Sequence, residues 1–302
     1  MPKKPIKEGY KVYGIADHGY IYSWVWSSRE KGLQALIKHP SLTPTGSLVR
    51  SLALMLPRRY ITIYMDNYFT SVPLFVELQA CKFGVVGTTR PHKAFPDSLS
   101  TIKKRFTKKL PWNTLVAAVK QDILCIAWQD NNIILGLSNI HTVDKVEDWV
   151  ERKRKRPAKT STNGRIVREV FGTDPVKELR IPCFIDDYNQ NMGGVDLANQ
   201  FREAYETHKP SFRNWWPLFY WLIDLACVNG YRLHKLHMGK KSLTQLQFRI
   251  ELYCKLLGYS EKAKLQSLRV GLGGKRVFNP ENERLHHWEK LSRGTCAWCL
   301  YD

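Results

Sequence analysis

Acidic residues are scarce in this chain: 27 Asp and Glu stand against 47 Lys and Arg in 302 residues, a formal charge of +20. An imbalance of that size excludes an ordinary metabolic enzyme as the first reading and points to a polyanionic partner bound with salt-sensitive affinity. A solvated basic surface of the ribosomal kind is the plainer alternative. Long hydrophobic runs are also missing. The most apolar stretch, Trp215 to Tyr231, is interrupted by Pro217, Asp224 and Asn229. It reads as a buried helix, and no membrane is expected. No apolar run follows the charges of Met1-Pro-Lys-Lys-Pro-Ile-Lys7, so no signal peptide is read there. Seven cysteines, most of them isolated, make no disulfide framework and fit a reducing, intracellular compartment. No internal repeat is present. What the chain does have is 43% hydrophobic residues, enough for one large globular domain or two smaller ones.

Residues 11 to 28 read as a hairpin. Val12, Tyr13 and Ile15 run into the turn Asp17-His18-Gly19, and Tyr20, Tyr22, Trp24 and Trp26 then alternate as a strand does. Leu48, Leu52, Leu54 and Met55 have helical spacing, ended by Pro57. Tyr60 to Met65 is a β-rich run ending on Asp66, residues 72 to 82 are a helix with Pro73 in its first turn, and Phe83 to Thr88 is another strand. Such alternation implies an α/β sheet with helices packed on it. Val116 to Val119, Ile123 to Trp128 and Ile133 to Leu137 form an antiparallel meander, read as an insertion. Residues 150 to 180 read as weakly structured, with the basic block Arg152-Lys153-Arg154-Lys155-Arg156. Helical periodicity returns at 193 to 207, 215 to 236 and 243 to 257. Trp215, Trp216, Phe219, Tyr220 and Trp221 read as a buried helix face.

Two carboxylates stand out. Asp66 directly follows an apolar strand, the place where open α/β sheets put their sites, although an N-cap or turn role fits the pattern equally. In Met192-Gly-Gly-Val-Asp196-Leu-Ala-Asn199, the glycines let backbone pass closely and a helix starts near Asp196. Asp196, Asn199 and Glu203 then share one face, where oxygen ligands could hold a divalent cation. An ordinary helix N-terminus with an acid near its dipole is the alternative.

Taken together, Asp66-Asn-Tyr-Phe-Thr-Ser-Val-Pro-Leu74, Val86-Gly-Thr-Thr-Arg90 and Asp187-Tyr-Asn-Gln-Asn-Met-Gly-Gly-Val-Asp196 resemble the motifs of piggyBac transposases. Lys4-Pro-Ile-Lys-Glu-Gly-Tyr-Lys11, Trp128-Gln-Asp130 and Asn214-Trp-Trp-Pro217 fit the same family in the same order, so the likeness spans roughly residues 1 to 258. It implies an α/β fold, a ribonuclease-H-like transposase core with a small β-rich insertion domain. Residues 1–90 and 183–260 would be the two parts of the core, 91–182 the insertion with its basic linker, and 261–302 a basic tail. It also implies two divalent metals (Mg2+ or Mn2+) between aspartates, with Asp66 and Asp196 as catalytic and metal-binding residues. The implied partner is DNA, as transposon ends and TTAA targets, with no membrane. The implied location is the nucleus, and a homodimer is compatible.

The chain departs from the family twice. The family's first catalytic aspartate lies on a strand upstream of the Lys-Pro-Ile-Lys segment at which this chain begins, so the first core strand is expected to be missing. Asn199 also stands where the family has an acid. The expectation is therefore a transposase-derived chain that is catalytically incomplete, with a non-enzymatic DNA-binding protein as the alternative. Arg152 to Arg156 would contact the DNA backbone or serve as a nuclear-import signal. Cys296-Ala-Trp-Cys299 is half of a zinc pattern, expected as a remnant whose site is incomplete.

Overall fold

The computed structural model describes residues 10–27, 38–57, 61–106, 110–159, 164–209, 213 and 215–258. In chain order it contains β1 (Val12–Asp17), β2 (Tyr20–Trp26), α1 (Pro44–Leu54), β3 (Thr62–Met65), α2 (Val72–Ala80), β4 (Gly84–Thr89) and α3 (Asp97–Arg105). There follow β5 (Leu115–Lys120), β6 (Ile123–Gln129), β7 (Ile133–Ser138), β8 (Trp149–Lys155), α4 (Arg165–Phe171) and β9 (Val176–Pro182). The described chain closes with α5 (Cys183–Asn191), α6 (Gly194–Ala204), α7 (Trp216–Met238) and α8 (Gln245–Leu256). The fold is mixed α/β. Two units are distinguished, Met1–Leu233 and His234–Asp302. No described helix is long and apolar enough to cross a membrane.

The main sheet has five strands in the order β3-β4-β7-β6-β5, parallel between β3 and β4 and antiparallel elsewhere. Every residue of β6 is buried, and its side chains alternate between two cores. Ile123, Cys125 and Ala127 join Leu74, Phe75, Leu78 and Leu99 of α2 and α3 on one face. Leu124, Ile126 and Trp128 join Phe184, Ile185 and Tyr188 of α5 on the other. A continuous apolar run is what a strand covered on both faces requires. The expected meander is present as β5 to β7, and it pairs with β4, so these strands continue the main sheet.

The expected hairpin is β1-β2. Its turn residues His18 and Gly19 have φ of 46° and 88°, the left-handed pair that a tight, right-twisted hairpin needs. α1 begins two residues earlier than its apolar spacing suggests, because Thr43 caps it by accepting from Gly46 N (3.1 Å) and Pro44 suits the first turn.

The region around 150 to 180 differs from expectation. It is an antiparallel ribbon, β8 with β9, bridged by α4. Leu179 packs with Val167 and Phe171, while Ile181 and Val150 reach the α5 side of the main sheet. These few apolar residues suffice, and the dense charge between them hides the period of two. The aromatic group at the start of α7 is also less buried than expected: Trp215 is 50% and Phe219 42% exposed. Trp215 stacks on Trp216 and Trp216 on Tyr220, while Phe219 meets Trp215 and Trp216 edge-on, and Trp221 meets Trp24 of β2. In the second unit, α8 starts at a capping box between Thr244 and Gln247, and Ile250 and Cys254 are its buried positions.

The β5-β6 turn carries a cost. Gln121 and Asp122 hold φ of 53° and 61° without a glycine between them, a conformation that side chains with a Cβ resist. Gln121→Asn combined with Asp122→Gly should stabilise the protein by about 1 kcal/mol, read as a higher urea midpoint at unchanged m-value.

Candidate functional site

Asp66 is the first residue after β3 and is exposed. Ile63 and Met65 point into the core, so the strand is fixed and the aspartate leaves it at a defined place. Its carboxylate accepts from Asn67 N (2.5 Å), and its carbonyl accepts from Phe69 N (3.0 Å) and Thr70 Oγ1 (2.9 Å). The side chain thus closes a turn at the carboxyl end of the strand. That turn lies against Gly87 of β4, where a Cβ would meet Thr70 Oγ1 at 2.6 Å and Met65 O at 2.8 Å. Only glycine fits there, which gives the Val-Gly-Thr-Thr segment a physical reason.

α5 closes over this end of the sheet. The Tyr188 hydroxyl lies 3.3 Å from Thr88 Oγ1, and burial, with Asp66 as a nearby negative charge, raises its pKa. Beside it, Asp187 accepts from Tyr64 OH (2.8 Å) and Asn191 Nδ2 (2.9 Å), and lies 3.3 Å from His141 Nε2. Burial pushes the Tyr64 hydroxyl well above its ordinary pKa, and the Asp187 acceptor adds to this. Burial depresses His141 more than Asp187 raises it, so at neutral pH the imidazole is uncharged. Its other nitrogen meets Ser138 Oγ at 2.9 Å. This Ser-His-Asp order is not a nucleophilic site. Ser138 is fully buried, and its oxygen already accepts from Ile140 N and His141 N.

Asp196 sits in the first turn of α6, exposed, with Asn199 half-buried and Glu203 exposed farther along. α6 rests on the β1-β2 hairpin. A Cβ on Gly194 would fall 2.5 Å from Ala16 O, and one on Gly19 would meet Phe201 at 3.0 Å. The Asp66 turn rests on the same strand, since Phe69 packs edge-on against Tyr13. Tyr13 and Ala16 are three residues apart, roughly 10 Å along an extended chain. β1 is therefore the common support of both candidate carboxylates. Among the described residues, no three His, Cys, Asp or Glu side chains gather to hold a metal ion, so these two carboxylates do not by themselves fit a pair of divalent ions. Cys296 and Cys299 lie outside the described residues.

The basic block is divided by its strand geometry. Arg154 grips Asp130 with two bonds (2.9 and 3.0 Å), an acceptor shared with Trp112 Nε1. Arg152 grips Asp186 likewise (2.5 and 2.6 Å). Lys153 and Lys155 alternate to the other face and are exposed. Arg156 turns back to Thr173 O. The residues that sequence reasoning passed over are Tyr64, His141 and Asp187. Asp187 stood inside a recognised motif, but its partners are 123 and 46 positions away.

A sheet with a parallel strand pair, an aspartate at the carboxyl end of one strand and a helix-borne aspartate on an adjoining hairpin define a mixed α/β protein of transposase type. The chain belongs to the family described as Transposase IS4, which matches residues 1–231. Among curated relatives it is similar to human PiggyBac transposable element-derived protein 2, 25% identical over 98% of this chain and 47% of that protein. It is also similar to human PiggyBac transposable element-derived protein 3, 27% identical over 98% of this chain and 49% of that protein. The chain spans about half the length of these relatives. Among solved structures it shares its fold with a piggyBac transposase captured by cryo-EM in a synaptic complex with hairpin DNA. That likeness has a TM-score of 0.62 and 21% identity, covering 92% of this chain and 50% of that one. The resemblance read from the motifs is thus borne out.

The two adjacent glycines should behave differently. Gly194→Ala places a methyl against the Ala16 backbone, which cannot step aside, and should cost about 1–3 kcal/mol. Gly193 has open space, so Gly193→Ala should change stability by less than about 0.5 kcal/mol. Urea denaturation of both variants checks this.

The Arg152 guanidinium holds the Asp186 carboxyl below its ordinary pKa. A depressed folded pKa stabilises above the unfolded value, near 3.9, and that stabilisation disappears as pH falls through the folded value. Arg152→Gln should therefore be less stable than the parent at pH 6, with the difference closing towards pH 3. A constant difference across that range would show that the pair contributes nothing through charge.

Proposed function

We propose that this chain is a transposase-derived DNA-binding protein built on a ribonuclease-H-like core, with Asp66 and Asp196 at the inherited catalytic positions. The observation that carries the reading is the convergence of three motifs on one strand end: Asp66, Gly87 with Thr88, and Tyr188. Membership of the transposase family over residues 1–231 supports it, as does the likeness to a transposase solved with DNA.

The core reading includes a further strand between β1 and β3, one not found among the described residues. Each of these strands has a partner on one side alone among the described residues, which is the arrangement such a strand would complete. In this reading residues 91–182 interrupt the core in sequence, between parts at 1–90 and 183–260, while β5 to β7 extend its sheet in space. Residues 261–302 are read as a basic tail, and a nuclear location follows from the function.

Divalent metal, Mg2+ or Mn2+, belongs to the chemistry of the parent family. Asp66 and Asp196 would be its ligands, but with no third donor gathered beside them among the described residues they do not fit a metal pair. The 302-residue chain is therefore read as binding DNA without cutting it. In gel-shift titrations its affinity should fall steeply between 50 and 200 mM salt, and transposon-end and TTAA-containing duplexes should show no nicking in magnesium or manganese. Cleavage that vanishes in Asp66→Ala would overturn the non-cutting reading, and salt-insensitive binding would overturn the backbone-driven one.

Within the basic block the exposed lysines are the DNA-facing residues. Lys153→Ala with Lys155→Ala should weaken binding at unchanged stability and lower the salt slope by about 2. Arg154→Ala should instead lower stability by about 1–3 kcal/mol, because it leaves the Asp130 carboxylate with Trp112 Nε1 and no cation. Denaturation and gel shift on the same preparations separate the two effects.

A further inference from the structure

Lys11 is exposed, yet its ammonium is held in place. It lies 4.7 Å from the centre of the Tyr13 ring and 4.8 Å from that of Tyr68. It hydrogen-bonds both tyrosines, and the Tyr13 bond is the largest influence raising its pKa. Burial alone would push Tyr13 up, but bonds from Lys11, Tyr68 and Ser27 bring its hydroxyl below the ordinary value. Tyr13 is buried and packs on Phe69, whereas Tyr68 is 53% exposed and stands two residues beyond Asp66. No described carboxylate is paired with Lys11. A cation fixed by two neutral hydroxyls, beside a candidate catalytic turn, therefore keeps its full charge for a ligand. An ammonium has three N–H donors. With two directed at the tyrosines, the third remains for an anionic oxygen.

We propose that Lys11, held by Tyr13 and Tyr68, is a contact for a DNA backbone phosphate next to the Asp66 turn. The proposal rests on the DNA-binding reading and adds to it one defined phosphate position on the hairpin. It differs from a generic basic surface in place. Lys82, also exposed, precedes β4 at the amino end of the parallel pair, away from Asp66.

The test is the salt dependence of binding to a 30-base-pair duplex by the full chain, measured for the parent, Lys11→Gln, Lys11→Arg, Tyr68→Phe and Lys82→Gln. One lost phosphate contact lowers the slope of log Kobs against log salt by about 0.9. Lys11→Gln should show that loss and Lys11→Arg should restore it. Tyr68→Phe should weaken binding several-fold while leaving the slope intact, because the charge remains but its orientation is lost. Lys82→Gln should match the parent. An unchanged slope in Lys11→Gln, or an equal loss in Lys82→Gln, overturns the phosphate position while leaving DNA binding standing. A parent chain that binds no DNA overturns both.

Discussion

The geometry of the candidate site depends on one carboxylate that is not itself a candidate for chemistry. Asp187 gathers a phenol from β3, an imidazole from the segment after β7 and the amide of Asn191 from its own helix. Those partners come from elements far apart in sequence, and the acceptor they share pins α5 across the carboxyl end of the main sheet. Hydrogen bonds to a charged group are the stronger kind. Because Asp187 is half-buried, losing it would take from the half-buried Tyr64 hydroxyl its carboxylate acceptor and leave the His141 imidazole with Ser138 alone. Asp186, the residue before it, is tied to β8 through Arg152. Two adjacent acids thus fasten one helix to the sheet and to the ribbon at once, and α6 with Asp196 follows within a few residues.

Close backbone approach is the second requirement. Gly87 admits the Asp66 turn onto β4, and Gly194 admits α6 onto β1. In neither case does the glycine serve an unusual backbone angle; each serves a distance that a Cβ would violate. The two aspartates are positioned by rigid elements meeting across glycine, which suits a site that must hold charge in a fixed place.

Much of this was legible in the sequence, and what was not has a physical cause. A strand followed directly by Asp66, a helix opening at Gly-Gly-Val-Asp, the β1-β2 hairpin and the β5-β7 meander all follow from local periodicity and turn residues. The β8-β9 ribbon did not show, because Glu, Arg and Lys crowd both strands and obscure the few apolar positions, Val150, Leu179 and Ile181. Asp187 could be seen as part of a motif but not as an anchor. A residue's hydrogen-bond partners across a sheet depend on register, and register is set by the whole fold. Trp215 and Phe219 misled for a related reason. Aromatic density signals burial only when the rings face another element, and here they pack on aromatic neighbours along their own segment.

Net charge, the first signal in the sequence, turns out to be a coarse guide to where a polyanion would bind. Of the five consecutive basic residues at 152 to 156, Arg152 and Arg154 are committed to Asp186 and Asp130, and Arg156 is turned to a carbonyl. The alternation of a strand sends Lys153 and Lys155 the other way. Arginine suits the first task because its planar fork matches a carboxylate with two bonds, and lysine suits the second because a compact, hydrated charge can meet a phosphate from many directions. The same division appears at Lys11, a lysine whose neighbours are hydroxyls rather than acids. On the DNA-binding reading, the cations left for a polyanion are those that the fold does not pair with a carboxylate, so the surface offered to it would depend on the distribution of Asp and Glu as much as on that of Lys and Arg.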